Sequence, residues 1–403
     1  MTALTIYCFG LLVISGLYFI IIFLIDIGIF KLKPFVRSTE QAGTRVSVII
    51  PARNEEESIG NCLSDLERQD YAKHLFEVVV VNDHSTDRTE ERVLEFTRLH
   101  PDMNLKLIQT GDRGEGQAFK KHSIRAGIEA TTGELVITTD ADTRSAKGWI
   151  SGVASFYEQS HLEMILGPVA FHKADSLFER MQVLEFSGLI GITAGSCTMG
   201  FPLLCNGANL AFKRQAYSEV VDAGNDLQYP SGDDLFLMMK IRKKYGQGSI
   251  KYLFAREAIV STKAKRTLLE FINQRLRWVS KSRGYTDPVI LAVSILTWLF
   301  NFLLVSTLVA GIFNLQLFFL FLLLAGMKMV FEFPSVYRIM NLCGGKRHMY
   351  LYPLVQVMNL VYVSVIGILG NVVSYEWKGR KIVTRRTPPP TPPPRGRGEK
   401  EGV

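Results

Sequence analysis

Thr138-Thr139-Asp140-Ala141-Asp142 sets two carboxylates one residue apart, directly after the apolar run Leu135-Val136-Ile137. Side chains alternate along a strand, so residues i and i+2 point to one side. Two hard oxygen ligands where a strand gives way to a loop can hold Mg²⁺ or Mn²⁺ while substrate phosphates complete the shell. The same pattern also occurs in solvated turns, so its company matters: Asp83 lies upstream, and Asp233-Asp234 and Gln274-Arg275-Leu276-Arg277-Trp278 lie downstream.

Each of these has two chemical readings. Asn54, Glu55 and Asp83 follow strand-like runs, where a carboxylate can accept hydrogen bonds from a base or a ribose hydroxyl. Alternatively this stretch serves helix capping, with Asp87 as the N-cap of the next helix. Lys120 and Lys121 stand near a helix start after Gly111, Gly114 and Gly116, a setting that suits a diphosphate. The glycines do not spell G-x-x-x-x-G-K-S/T, however, and a solvated basic face is the alternative. Asp233-Asp234 open an apolar-periodic segment, either complementing a helix dipole or supplying a general base that takes a proton from an attacking hydroxyl. Gln274 to Trp278 falls on an amphipathic helix beside an apolar block. There Arg and Trp suit a membrane boundary. Arg277 equally suits a diphosphate, and Trp278 a flat platform under a sugar ring.

The elements that must position these groups alternate in type. Val46 to Pro51 is a β-rich run, and Phe76 to Val81 is almost continuously apolar, as in a strand buried on both faces of a parallel sheet. Helical spacing follows at Ile59, Leu63 and Leu66, then from Asp87 to Leu99 and from Gln117 to Ala130. Strands are expected at Leu105–Ile108 and Leu135–Thr139. This alternation predicts an open α/β sheet with right-handed crossovers. Ligands of such sheets gather at the carboxyl ends of strands, where Pro51, Asp83 and Asp140 are expected to converge. A dinucleotide-binding dehydrogenase would need G-x-G-x-x-G after the first strand, and Pro51-Ala52-Arg53-Asn54-Glu55-Glu56 lacks it.

The 403 residues divide by composition. Leu4 to Phe30 carries one charge, Asp26, and is long enough to cross a bilayer. No basic leader region or small-residue cleavage site marks it as a signal peptide. Pro288 to Phe333 carries only Lys328 and Glu332 as charges and is long enough for two spans turning near Asn314. Tyr350 to Val373 has no charge at all. Lys31, Lys33 and Arg37 follow the first span, so the soluble part is expected in the cytosol. The tail from Lys378 carries eight basic residues against Glu399 and Glu401, a net of +6 out of the chain's +8, and is expected on the same side. Three crossings after the soluble part would place it outside, so one apolar segment is expected not to span. The tail's charge suits anionic headgroups, and its Pro388–Pro394 run an extended, disordered chain. No basic stripe with interleaved aromatics points to nucleic acid. The five cysteines form no C-x-x-C pair, which fits a reduced compartment.

From Val46 to Gly284 these pieces resemble the membrane-bound family 2 glycosyltransferases, the group of cellulose, chitin and hyaluronan synthases and ceramide glucosyltransferase. Val48 to Glu55 resembles the family's opening strand and loop, Val81 to Asp87 its first aspartate motif, and Asp140-Ala141-Asp142 its D-x-D. Cys205 to Leu210 resembles the segment at the acceptor end, Gly232-Asp233-Asp234 the base motif, and Gln274-Arg275-Leu276-Arg277-Trp278 fits Q-Q/R-x-R-W. The resemblance implies a GT-A type α/β domain plus transmembrane helices. The expected divisions are an anchor at 1–30, the cytosolic transferase domain at 45–265, and an interfacial helix at 266–285. Two or three membrane segments at 288–374 and the basic tail at 378–403 complete them.

The resemblance also assigns roles. Asp234 is the base with Asp233 beside it. Asn54, Glu55, Asp83, Lys121, Asp140 and Arg277 hold the donor, Gln274, Trp278, Asn206 and Gly207 face the acceptor, and Asp142 and Asp140 hold Mg²⁺ or Mn²⁺. The implied reaction is inverting single displacement from a UDP-sugar to a hydroxyl of a lipid or lipid-linked glycan at the membrane surface. The implied setting is a multi-pass protein of the cell inner membrane. The C-terminal membrane portion is shorter than that of cellulose synthase. Alternative readings are a processive polysaccharide synthase subunit, or a non-catalytic subunit working with an export partner.

Overall fold

The computed structural model describes residues 3–38, 41–111, 119–221, 232–370, 372–377 and 380–382. Gly114, Gly116 and all but three residues of the basic tail lie outside them. The chain opens with helix α1 (Ala3–Lys31), followed by β1 (Val46–Ala52), α2 (Ile59–Glu67), β2 (Phe76–Asn82), α3 (Thr89–Leu99) and β3 (Leu105–Gln109). Next come α4 (Phe119–Glu129), β4 (Leu135–Thr138), β5 (Arg144–Ser145), α5 (Trp149–Ser160), β6 (Met164–Leu166) and β7 (Val169–His172). Then α6 (Leu177–Thr198), β8 (Leu210–Lys213), α7 (Arg214–Val220), α8 (Asp233–Tyr245), β9 (Ile250–Tyr252) and β10 (Val260–Lys263) close the α/β part. Four helices follow: α9 (Leu268–Ser280), α10 (Pro288–Gly311), α11 (Leu315–Leu342) and α12 (Tyr352–Leu369).

The main sheet runs β3-β2-β1-β4-β8-β6-β9. The first four strands are parallel, with Val48 beside Val78 on one flank and Ile137 on the other, and β8 runs antiparallel to both β4 and β6. Every residue of β2 is buried, because helices cover both faces. Strand alternation divides the core in two. Val48, Ile50, Val78 and Val80 pack under α2, α3 and α5, while Ile49, Val79 and Val81 pack under α4 and α8. That second core continues into α6, α1, α10 and α11 without a break. A small sheet, β5-β10-β7, stands beside the main one.

Among the described residues, four helices are long and apolar enough to cross a membrane: Leu4–Lys31, Pro288–Gly311, Leu315–Leu342 and Lys346–Leu369. The side chain of Asn314 caps α11, accepting from the amides of Gln316 (2.9 Å) and Leu317 (3.4 Å), which accounts for the tight turn after α10. Helix α1 meets α6 backbone to backbone. A methyl group on Gly195 would stand 2.3 Å from the Ile25 carbonyl oxygen, so only glycine allows this approach.

Candidate active site

The order of the parallel strands reverses between β1 and β4, which opens a crevice beyond their carboxyl ends. An open cleft lies there. It gathers Arg53 and Glu55 after β1, Asp83 after β2, and Asp140 and Asp142 after β4. Asn206 and Gly207 before β8, Asp233 and Asp234 at the start of α8, and Gln274, Arg277 and Trp278 of α9 line it too.

The D-x-D pair stands on a turn. Strand β4 ends at Thr138, and the Asp140 carbonyl accepts from the amide (3.2 Å) and hydroxyl (2.7 Å) of Thr143. Strand alternation therefore does not set these two carboxylates. Side-chain hydroxyls do: Thr138 and Thr139 donate to the carbonyls of Gly207 and Ala208, each at 2.9 Å. Asn209 anchors that segment in turn, donating to the carbonyls of Pro168 and Ala258 (2.8 Å each) and accepting from the Trp149 indole (3.0 Å). Asp142 accepts from the hydroxyl of Thr262 on β10 (3.3 Å).

Asp233 and Asp234 begin α8 because Gly232 adopts a left-handed φ of 91°, where a Cβ would also meet the Phe236 ring at 2.9 Å. Both acids thus sit at the positive end of the helix dipole. Asp234 accepts from the amides of Leu235 (2.8 Å) and Gly207 (3.1 Å), and the Lys281 ammonium lies 3.6 Å away. Lys120 pairs with Asp140. A methyl on Gly207 would stand at ordinary contact distance, 3.5 Å from the Asp234 Cβ and 3.7 Å from the Lys120 Nζ, which places Gly207 against both charged groups.

The electrostatics separate the neighbouring acids. Burial pushes Asp233 up, and the adjacent Asp234 adds to this, outweighing Lys120. Burial acts on Asp234 in the same direction, but Lys281, Lys120 and the two backbone donors hold it below the usual carboxylate range. Burial disfavours the charge on Lys120, yet Asp140, Asp233 and Asp234 raise its pKa well above that of an ordinary lysine. One acid is therefore inclined to keep a proton while its neighbour stays ionised, a division suited to proton abstraction.

Helix α9 is set by a capping box of Thr267 and Glu270. Gln274, Arg277, Trp278 and Lys281 recur at three- and four-residue steps and so share its cleft face. Lys281, Lys263, Lys265 and Thr262 were not singled out from the sequence. Helical spacing from Gln274 could have found Lys281, but nothing in the sequence marks Thr262 and Lys263 of β10 or Lys265 just after it. Of the two lysines on α4, Lys120 reaches the cleft. Lys121 lies over the Phe236 ring at 4.6 Å and lines a neighbouring pocket that Asp233 and Asp234 also border, since successive helix residues point about 100° apart. Asn54 does not line the cleft either. Its side chain accepts from the Thr86 amide (2.8 Å) and ties the loops after β1 and β2 together.

Among the described residues no group of three or more His, Cys, Asp and Glu is arranged to hold a metal ion. Asp140 and Asp142 offer hard oxygen donors on one turn that opens into the cleft. They fit a divalent cation that draws the rest of its shell from a diphosphate and water.

Comparison with known proteins places this arrangement. Residues 47–220 match the family model for glycosyl transferase family 2, and residues 135–373 match that for glycosyl transferase family group 2. The chain is 27% identical over 267 residues to an N-acetylglucosaminyltransferase of Rhizobium meliloti, covering 64% of this chain and 59% of that protein. It is 26% identical over 202 residues to the poly-beta-1,6-N-acetyl-D-glucosamine synthase of Staphylococcus epidermidis, covering 47% and 46%. Both matches take in less than two thirds of the relative's length. Among solved structures, the mannosyltransferase PcManGT of Pyrobaculum calidifontis, in complex with GDP-Man and Mn²⁺, aligns with a TM-score of 0.57 over 87% of this chain and 98% of its own. At 19% identity that likeness speaks for the fold alone. The longer family match spans more than half of the chain, from β4 to beyond α12, and the protein is a GT-A glycosyltransferase belonging to glycosyl transferase family group 2.

Proposed function

We propose that this enzyme moves a sugar from a UDP-sugar to a hydroxyl of an acceptor at the membrane surface, with inversion at the anomeric carbon. The observation that carries the reading is the position of Asp234. It is held ionised by Lys281 and two backbone donors, in the same cleft as Arg277 and Trp278 of a helix packed against α12. In this reading Asp83 and Glu55 receive the nucleoside, and Asp140 and Asp142 receive the diphosphate with Mg²⁺ or Mn²⁺. When bound, such an ion supplies Lewis-acid stabilisation of charge on the departing diphosphate. Arg277 and Lys120 stabilise the same charge as it develops. Asp234 takes the proton of the acceptor hydroxyl, whose oxygen attacks the face opposite the leaving group. Trp278, Gln274, Asn206 and Gly207 hold the acceptor sugar or headgroup. The N-acetylglucosaminyltransferase relative makes UDP-N-acetylglucosamine the first donor to test.

The proposal extends to topology. Near one end of helix α12, Tyr352 and Val355 pack with Leu184 of α6 in the α/β domain, and just past its other end Gly370 lies against Val279 of α9, the cleft helix. An 18-residue helix rises about 27 Å, so one that crossed a bilayer would carry one end away from the domain. In this reading α12 lies along the interface, while α1, α10 and α11 cross. The basic tail then returns to the cytosolic side with the catalytic domain, as the charge distribution requires.

The test is UDP release by the detergent-purified protein across a panel of UDP-sugars, with Mg²⁺ or Mn²⁺ and a lipid extract. Metal-dependent release with one donor and a solvent-extractable product supports a lipid acceptor. A long insoluble polymer overturns the acceptor assignment in favour of a processive synthase working with an export partner. Release with GDP-sugars alone overturns the UDP assignment.

A further inference from the structure

Arg275, inside the Gln274–Trp278 motif, points away from the cleft that its neighbours line. It is 3% exposed and pairs with Glu185 of α6, 4% exposed, through both Nε (3.2 Å) and Nη2. The hydroxyl of Tyr362 on α12 donates to the same carboxylate at 2.5 Å. One buried charge pair therefore joins three helices that are far apart in sequence. Arg275 also touches the cleft face from behind. Its Nη1 donates to the Gln274 Oε1 at 2.7 Å, and its guanidinium lies over the Trp278 ring at 4.1 Å and the Phe271 ring at 4.3 Å. With the Gln274 oxygen engaged in this way, its amide NH₂ is the group left to face a ligand.

The same helix grips the approach to α9. Gln182, one turn before Glu185, donates to the Lys265 carbonyl (2.8 Å) and accepts from the Lys265 amide (2.9 Å). On the opposite side α12 is itself tied down, since Gln356 accepts from Lys328 (2.7 Å) and donates to Glu332 (2.8 Å) of α11. A buried pair of this kind is costly to break, because removing one partner strands the other's charge. Its geometric effect is to fix the rotation of α9 about its own axis, and each residue of rotation moves a side chain about 100° around the helix.

We propose that Glu185, Arg275 and Tyr362 form a positioning triad that holds Gln274, Arg277 and Trp278 in the cleft and makes their placement depend on the membrane-side helix α12. The inference rests on the reading of Arg277 as a donor-diphosphate contact. Its test is a set of double-mutant cycles read as UDP affinity in the presence of Mn²⁺, by calorimetry on the full-length protein in detergent. Arg277→Ala is expected to weaken UDP roughly tenfold, as loss of a charge-assisted contact does. Glu185→Gln is expected to weaken it about fivefold, and Tyr362→Phe, which removes one hydrogen bond, about twofold. In the Arg277→Ala background both effects should vanish, because the triad acts through that residue. A merely stabilising triad would lower the melting temperature without this loss of additivity. Full additivity, or unchanged UDP affinity in folded Glu185→Gln, overturns the proposal. If Glu185→Gln does not fold, the Tyr362→Phe cycle decides by the same criterion. An Arg277→Ala protein with wild-type UDP affinity overturns the donor reading itself, and the triad proposal with it.

Discussion

The two ends of the parallel sheet use their carboxylates in opposite ways. At the amino end Glu77 of β2, 4% exposed, is saturated. One oxygen accepts from the Ser47 hydroxyl (2.9 Å), the Thr132 amide (2.6 Å) and the Thr132 hydroxyl (3.1 Å), and the other from Lys106 (2.8 Å). At the carboxyl end Asp140, Asp233 and Asp234 crowd around Lys120 and Lys281 in an open cleft. The first arrangement is a closed network that fastens β1, β2, β3 and the entry to β4. The second is a field of like and unlike charges facing one cleft. Stability and chemistry are thus assigned to opposite edges of one sheet, and substitutions should separate them.

The largest effect is expected at Asp234. Asp234→Asn removes the proposed base and should lower turnover by about 10² to 10⁴ while UDP binding persists. A variant with near-normal turnover would end the assignment. Lys120→Met comes next. Without the ammonium between Asp140 and Asp233, turnover should fall roughly 10- to 100-fold, whereas Lys121→Met, whose side chain lies over Phe236 and acts on Asp233 more weakly, should lower it by less. Equal losses in the two lysine variants would erase the distinction that the structure draws between them.

The sheet and the helix hairpin of α10 and α11 were legible because long-range burial leaves a local trace. Phe76 to Val81 could be read as a doubly covered strand from its unbroken apolar run, and Asn314 as a turn from one polar residue in an apolar block. The cleft was legible only in part. Strand alternation placed Asp140 and Asp142 on a strand face, yet hydroxyl bonds from Thr138, Thr139 and Thr143 set their turn, and the first two link segments 69 residues apart. Lys120 and Lys121 were indistinguishable by type, and only the setting of α4 on the sheet separates them. Arg275 shows the same limit. The roles proposed for its neighbours follow from a motif, but the one proposed for Arg275 depends on Glu185 and Tyr362, which no pattern near it announces.

At the amino end the effect should appear in stability and not in turnover. Burial raises the Glu77 pKa, but Lys106, the Thr132 amide and Ser47 more than offset it and bring it down to about 2. A depressed carboxylate stabilises the fold above its unfolded pKa, and that contribution is lost as pH falls from about 4.5 toward 2. Glu77→Gln should therefore cost on the order of 2 kcal/mol at pH 7, seen as a lower melting temperature. The gap to wild type should narrow with acidification, and the turnover of the folded fraction should stay unchanged. A gap of constant size from pH 7 to pH 3 would show that packing, and not charge, is responsible.

The smallest effect, and the sharpest comparison, lies between the adjacent acids at the start of α8. Asp233 is pushed up by burial and by Asp234, so its ionised form weighs against folding at neutral pH, and that burden lifts as pH falls through its raised pKa. Asp234 is held down, so its ionised form favours folding above the ordinary carboxylate range. Asp233→Asn should raise the melting temperature at pH 7, by roughly 0.5 to 1 kcal/mol of stability, with the gain shrinking in acid. Asp234→Asn should lower it, with the loss shrinking in acid. Opposite signs at two neighbouring positions are hard to obtain from packing, since both substitutions keep the side chain's shape. If both variants shift in the same direction, the division of protonation between the two acids is wrong, and with it the ground for choosing Asp234 over Asp233 as the base.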